Sequence, residues 1–416
     1  MNYLLIANND SDGVGQPAVN LCKNLSDKGH QSNLVVLHKS SKKKFVKKIK
    51  RSLFARIFLF FLNFAKKNYS ELFGFGYSTV KFEELKKHLD KADIVIIFTL
   101  YKIISNITLE KILKTKKIVY FRPLDIELAS GGCHFNQDCS KFKTNCKRCP
   151  KLYYNNLIDA PFKNQMEKKK IFEKYKPTIF TQNNFVKNLF KQSAIFKNLN
   201  LVTIFLGINK NRNKKYFKFY ARKKLGFDNK EKIILFGAFN LNSNIKGANL
   251  LKKSLEFLEK KVGKKQINIR LITIGKKNKF SFSSKKIKWT HLGLVSSDIK
   301  LNLIYRLSDV LVCPSLYDFG PHIVTEALLN DLPVVAFNQG IAQDTVFQGK
   351  NGFLVNNFDI KKYADSIYKI LFNKKKIIGI PSLKQMKRNC SSDYETKKII
   401  KISHDDLIKS KRLECS

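Results

Sequence analysis

Short apolar runs rich in β-branched residues alternate with amphipathic, helix-length segments along nearly the whole chain, and this alternation limits the fold more than any other feature. It is the pattern of βαβ units, in which parallel strands are covered by helices. Expected strands fall at 3–7, 33–37, 93–98, 117–121 and 178–181, then at 232–237, 268–274, 309–313, 332–337 and 352–355. One core stops growing near roughly 250 to 300 residues, so 416 residues that are 44% hydrophobic predict two α/β domains. The first is expected over 1–205 and the second over 231–375, both doubly wound and Rossmann-like. Between them 206–230, rich in lysine and asparagine, reads as an interdomain crossover, and 376–416 as helices that could pack back across both domains. Ligands of such sheets bind beyond the carboxyl ends of the strands, so two of them facing across a cleft predict a nucleotide site.

With 79 Lys and Arg against 32 Asp and Glu, the formal charge is +47, a surface that attracts phosphates and anionic headgroups. The accompanying Asn, Ile and Phe are also the mixture that AT-rich coding favours. No stretch reaches the roughly 18 to 20 apolar residues of a membrane span, and MNYLLIANND lacks a basic region ahead of an apolar one, so the expectation is a cytoplasmic protein. KSSKKKFVKKIKRSLFARIFLFFLNFAKK, at 39–67, joins a basic run to about three apolar turns. Two readings stand: a helix lying on the anionic inner face of the membrane, or a buried helix with a solvated lead-in.

DVLVCPSLYDFGPHIVTEALLNDLPVVAF, at 309–337, reads as strand, loop, helix, loop, strand. Pro321 suits the first turn of that helix, and the amides of Phe319, Gly320 and His322 would lie at its N-terminus, a diphosphate cradle. Glu326, further along the same helix, could accept both hydrogen bonds of a ribose diol, while Asp318 at the strand end would face the sugar. Asp318 and Glu326 resemble the acidic-x7-Glu motif of the family-four retaining glycosyltransferases of GT-B fold, as do the following PVVAF and the GKNGFLV at 349–355. The resemblance implies that Glu326 holds the nucleotide ribose and Asp318 contacts the donor sugar. In ILFGAFNLNSNIKGANLLKKSLEFL it further implies that Lys246, before Gly247, neutralises the donor diphosphate. The companion arginine of the family is replaced by Ala238.

In the first half, ANNDSDGVGQPAVNLCKNLSDKGH places Gly13 and Gly15 after the first strand, with Pro17 opening a helix that stops at Gly29. The pair resembles the family's glycine loop between donor phosphate and acceptor. FRPLDIELASGGCHFNQDCSKFKTNCKRCP carries Cys133, Cys139, Cys146 and Cys149, spaced C-x5-C-x6-C-x2-C. The terminal Cys-x2-Cys favours structural zinc, with His134 as a substitute ligand; disulfides and simple buried thiols are the alternatives. The segment resembles an insertion in transferases of capsule and colanic-acid-type polysaccharide synthesis, with Ser130 for the threonine of TGGCH and Leu124 where a histidine often stands. This makes Asp125 and Arg122 candidates on the acceptor side. The resemblance implies same-face transfer of a sugar from a UDP- or GDP-type donor to a lipid-linked oligosaccharide, with no cofactor required for catalysis. Rival readings are an epimerase or phosphorylase on the same fold and a basic RNA-binding protein whose zinc knuckle carries Phe135 and Phe142.

Overall fold

The computed structural model describes every residue except 12, 65, 68–72, 154–158, 210–215, 265, 374–380 and 416. The chain divides into two units, one of Met1–Gly207 with Ser392–Ser416 and one of Ile208–Ser391.

In the first unit β1 (Asn2–Asn9), β2 (Gln31–His38), β3 (Val46–Lys48), β4 (Ile94–Ile97), β5 (Ile118–Phe121), β6 (Thr178–Thr181) and β7 (Leu201–Thr203) form a sheet ordered β3-β2-β1-β4-β5-β6-β7. Every pairing is parallel. The register sets Leu5 opposite Leu34 on one side and Ile96 on the other, and all three enter one buried cluster. The second unit repeats the plan with β8 (Lys232–Asn240), β9 (Ile269–Lys276), β10 (Ile287–His291), β11 (Val310–Cys313), β12 (Val334–Phe337) and β13 (Gly352–Val355), ordered β10-β9-β8-β11-β12-β13. Ile234 pairs with Leu271 and Val310, again inside one core. Strand order reverses between β1 and β4, and between β8 and β11. At such a switch point the connections leave in opposite directions, so each unit has an open crevice beyond the carboxyl ends of those strands.

β3, β7 and β10 fall outside the expected strands because they are short or carry charge: VKK, LVT and IKWTH. Residues 206–230, expected as an interdomain crossover, differ from that expectation in the structure. Residues 210–215 lie outside the described residues, but the helix Lys218–Leu225 belongs to the second unit. Its anchor is Arg222, buried, which donates to the Leu307 carbonyl at 3.0 Å and to Asp309 Oδ2 at 2.9 Å. A helix held by a paired arginine shows no apolar periodicity, which is why it read as a linker.

The second unit takes in the helix Ile360–Phe372, as expected, and also the helix Pro381–Asn389, past the expected boundary at 375, whereas the helix Ser392–Cys415 joins the first. That last helix is fastened by Arg122, fully buried and paired with Glu395. The guanidinium also donates to the carbonyls of Ile204, at 3.1 and 3.2 Å, and Phe205, at 3.3 Å, while Glu395 Oε2 accepts from the Gly207 amide at 2.7 Å. Tyr120 adds a hydrogen bond to Asp406 Oδ2 at 2.7 Å.

Candidate functional site

In the second unit the residues singled out from sequence gather on the loops that leave β8 and β11, the two strands at the switch point. β8 runs through Ala238, and a short 3-10 turn, Asn244–Lys246, follows it. The chain reverses at Gly247, whose φ is +69°, and enters the helix Ala248–Val262. A Cβ on Gly247 would stand 1.9 Å from the Pro314 carbonyl oxygen, so only glycine lets this turn press against the end of β11. The Leu316 amide donates to the Ile245 carbonyl at 2.9 Å and ties the two loops together.

This packing sets Lys246 Nζ against Asp318 Oδ2 in an ion pair. Asp318 lies on the loop five residues past the end of β11 at Cys313, not at the strand end as expected, and its Oδ1 accepts from the Gly320 amide at 3.3 Å. Burial works against the charge on Lys246, but the Asp318 carboxylate more than offsets it and raises the ammonium pKa. The Lys246 side chain keeps 31% of its surface exposed, so a fixed cation remains reachable.

The helix that follows runs His322–Leu329, with Pro321 as its N-cap rather than a first-turn residue. Pro321 offers no side-chain cap, so the first turn relies on backbone and whatever binds there. Phe319 is buried and wedges this loop in place. Gly340, at φ +56°, lets a neighbouring loop approach the Asp318 carbonyl, which a Cβ would meet at 2.1 Å. One turn into the helix, buried Glu326 accepts a hydrogen bond from Tyr305 Oη at 2.6 Å. Tyr305 comes from the helix Asp298–Leu307 and was not anticipated, because a tyrosine on an amphipathic helix reads as core. Cation, helix N-terminus and oriented carboxylate thus share one end of the sheet, a set able to bind a diphosphate and a diol.

In the first unit Gly15 begins the helix Gly15–Asp27, so Pro17 is its third residue rather than its opener. A Cβ at Gly15 would stand 2.3 Å from the Asn9 carbonyl oxygen, which makes this glycine a packing requirement. A Cβ at Gly13 would meet nothing within 4 Å, leaving an open approach to the backbone.

Asp125, just past β5, accepts from the Glu127 amide at 2.8 Å and meets His134 Nδ1 at 2.6 Å. Glu127 Oε2 in turn accepts from Thr99 Oγ1 at 3.1 Å and from the Leu100 and Tyr101 amides at 3.2 Å each, all just after β4. Buried Lys168 donates to the Glu127 carbonyl at 2.6 Å. One ligating atom from each of Asp125, Glu127 and His134 lies within 4.8 Å of the others. Burial raises the Glu127 pKa; it pushes His134 down, but the Asp125 carboxylate reverses that and leaves the imidazole raised. Arg122, named beside Asp125 from sequence, is committed to Glu395 instead. Glu127 and Lys168 were missed; Glu127 stood two positions from Asp125 with no motif to mark it.

Cys133, Cys139, Cys146 and Cys149 line one small pocket with Phe73 and Lys151, and none is in a disulfide. The Gly131 amide donates to Cys146 Sγ at 3.1 Å. Burial pushes the thiols of Cys146 up to about 12 and of Cys149 up to about 11, so each stays neutral at pH 7 unless a cation compensates. His134, considered as a spare ligand, is turned toward Asp125.

Residues 217–390, most of the second unit, match the family Glycosyl transferases group 1. A stretch of 75 residues, 18% of this chain, is 32% identical to spore coat protein SA of Bacillus subtilis and spans 20% of that protein's length. Among solved structures the chain is similar to the sucrose-phosphate synthase of Thermosynechococcus elongatus, with a TM-score of 0.69 at 14% identity, covering 98% of this chain and 100% of that one. It is similar to Anabaena HepE in complex with UDP-glucose, TM-score 0.66, 14% identity, covering 97% and 100%. It is similar also to WaaG, a glycosyltransferase involved in lipopolysaccharide biosynthesis, TM-score 0.60, 12% identity, covering 97% and 98%. The two parallel-sheet units, of seven and six strands, are those of the GT-B fold.

Proposed function

We propose that the chain is a retaining glycosyltransferase that moves a sugar from a UDP- or GDP-type donor to a lipid-linked oligosaccharide or polysaccharide in assembly of a bacterial surface polysaccharide, at the inner face of the cytoplasmic membrane. The observation that carries the reading is the Lys246–Asp318 pair beside the helix that holds Glu326, within the matched transferase domain. Structural relatives with UDP-glucose bound or a part in lipopolysaccharide synthesis support it.

In this scheme Glu326, held by Tyr305, takes the ribose diol, and Lys246 with the backbone of Phe319, Gly320, Pro321 and His322 takes the diphosphate. In the first unit Gly13, where nothing crowds the backbone, is the candidate for approach by a phosphate, and Gly15 sets the start of the following helix. As the bond from the anomeric carbon to the phosphate oxygen breaks, negative charge grows on the leaving diphosphate, where Lys246 is aimed, so its stabilisation is larger in the transition state than before it. Asp318, released from Lys246, contacts the donor sugar. The leaving phosphate takes the proton of the acceptor hydroxyl as that oxygen bonds to the same face, and Asp125, braced by His134, meets the acceptor. No cofactor enters the chemical step. Zinc on Cys133, Cys139, Cys146 and Cys149 would supply structure, and binding would have to draw the thiols together: they line one pocket, but among the described residues no three of them lie within ligating reach of one another.

The first test is the melting midpoint with UDP, GDP, ADP, CMP and no nucleotide, in wild type and Glu326→Ala. A nucleotide at 100 times its Kd adds about 2.7 kcal/mol. One nucleotide should stabilise the wild type and not the variant; stabilisation of both by short RNA and by no nucleotide would instead favour the RNA-binding rival. For the cysteines, protein purified without chelator should retain about one equivalent of zinc and Cys146→Ser much less; metal-free protein that melts unchanged with added zinc refutes the site.

A further inference from the structure

The helix Leu53–Asn63 turns most of its apolar side chains outward, which argues against the buried-helix reading of this segment. Leu59 is buried, but Leu53 is 67%, Phe54 80%, Phe60 59% and Phe61 64% exposed. Phe64 and Tyr77 extend the surface: the Phe60 and Phe64 rings pack edge-on with centroids 5.3 Å apart, and Phe58 meets Tyr77 in the same way at 5.3 Å. The helix is firmly started. Ser52 donates its amide to the Thr79 carbonyl at 2.7 Å and caps the Ala55 amide through Oγ at 3.3 Å. Contiguous aromatic surface on that scale marks a contact with something apolar.

Charge indicates what that is. Beside the Ser52 cap, Arg51 Nε donates to Thr79 Oγ1 at 3.3 Å and Thr79 Oγ1 to the Lys102 carbonyl at 2.8 Å, which brings these two basic residues together; with Lys48 and Arg56 they add to burial in lowering the His38 imidazole pKa. Arg56 similarly adds to burial in lowering the pKa of Arg51. Among the described residues none of the four is in an ion pair. A second copy of the chain would bring the same cations and a net charge of +47 against them. An anionic bilayer supplies both complements, phosphates for the cations and an acyl boundary for the rings. Eleven helical residues span about 16 Å, far short of the roughly 30 Å hydrocarbon core, and no described helix is long and apolar enough to cross a membrane.

We infer that the helix Leu53–Asn63, with Lys48, Arg51, Arg56 and Lys102 beside it, docks the first unit onto anionic phospholipid, its rings lying in the headgroup and upper acyl region. The inference needs no transferase activity, because it is read by binding alone. The experiment is co-sedimentation of the full chain with vesicles of phosphatidylcholine alone or of phosphatidylcholine with phosphatidylglycerol. Binding should favour the anionic vesicles by at least about tenfold and weaken with salt. Phe54→Glu with Phe61→Glu should lower it about tenfold, as should Lys48→Gln with Arg56→Gln, at unchanged melting midpoints. Lys285→Gln with Lys286→Gln and Lys288→Gln, in the second unit, should leave it as in wild type. Equal binding to both vesicles, no binding, or equal losses from all three sets of variants would overturn the proposal. A dimer abolished by the Phe54→Glu and Phe61→Glu pair, without vesicle binding, would overturn it in favour of a second copy.

Discussion

Two cations that the sequence singles out end in opposite situations. Arg122, in the first unit, is fully buried, with Glu395 and the carbonyls of Ile204 and Phe205 around it. Lys246, in the second, meets one carboxylate, Asp318, and keeps almost a third of its surface exposed. A planar guanidinium with several fixed acceptors cannot exchange them without leaving buried groups unpaired. A flexible ammonium with one acid partner can trade it for phosphate at small cost. The difference separates a cation that holds the fold from one that is available for chemistry, and substitution at each should respond in different currencies.

The largest effect is expected at the buried pair. Glu395→Gln strands the Arg122 charge and should destabilise the protein by about 3 to 5 kcal/mol, measured by denaturant unfolding of the first unit's transition. Whatever folds should retain the KM of wild type for nucleotide sugar. Replacing both partners by apolar residues, Arg122→Met with Glu395→Leu, should recover much of the loss, since a well-packed apolar pair avoids the desolvation cost. If the double variant is no better than the single one, the hydrogen bonds to Ile204, Phe205 and Gly207 matter more than the charge.

Lys246→Ala should do the reverse. We expect kcat/KM to fall by two or more decades, about 2.7 kcal/mol of transition-state stabilisation, with a melting midpoint close to wild type. Near-wild-type turnover would remove Lys246 from the diphosphate site; a collapsed midpoint would make the pair with Asp318 structural and erase its contrast with Arg122.

The same contrast explains how much could be read in advance. Parallel strands such as Ile94–Ile97 and Val334–Phe337 are continuous apolar runs, visible without any partner. The loop from Asp318 to Glu326 is contiguous, so its chemistry travels with its sequence. Arg122 pairs with a residue 273 positions away, and Tyr305 reaches Glu326 from another helix, so neither role leaves a local mark. Arg222 shows the same limit in reverse: a charged residue buried by remote partners made a packed helix look like a linker.

Tyr305→Phe probes the smallest of these effects. The phenol donates to Glu326 from within the protein, so its loss leaves the carboxylate in place but less firmly aimed, and a hydrogen bond to a charged group contributes about 1.5 to 3 kcal/mol. Part of that is regained when the ribose hydroxyls donate to Glu326 instead, and about a tenfold rise in nucleotide Kd is the expected remainder, roughly 1.4 kcal/mol. Calorimetric titration with UDP and GDP measures it directly. A purely packing role for Tyr305 would lower the melting midpoint without changing Kd, whereas an orienting role changes Kd in Tyr305→Phe and has no further effect once Glu326 is Ala. The two single variants and the double therefore test whether Tyr305 acts through Glu326 or beside it.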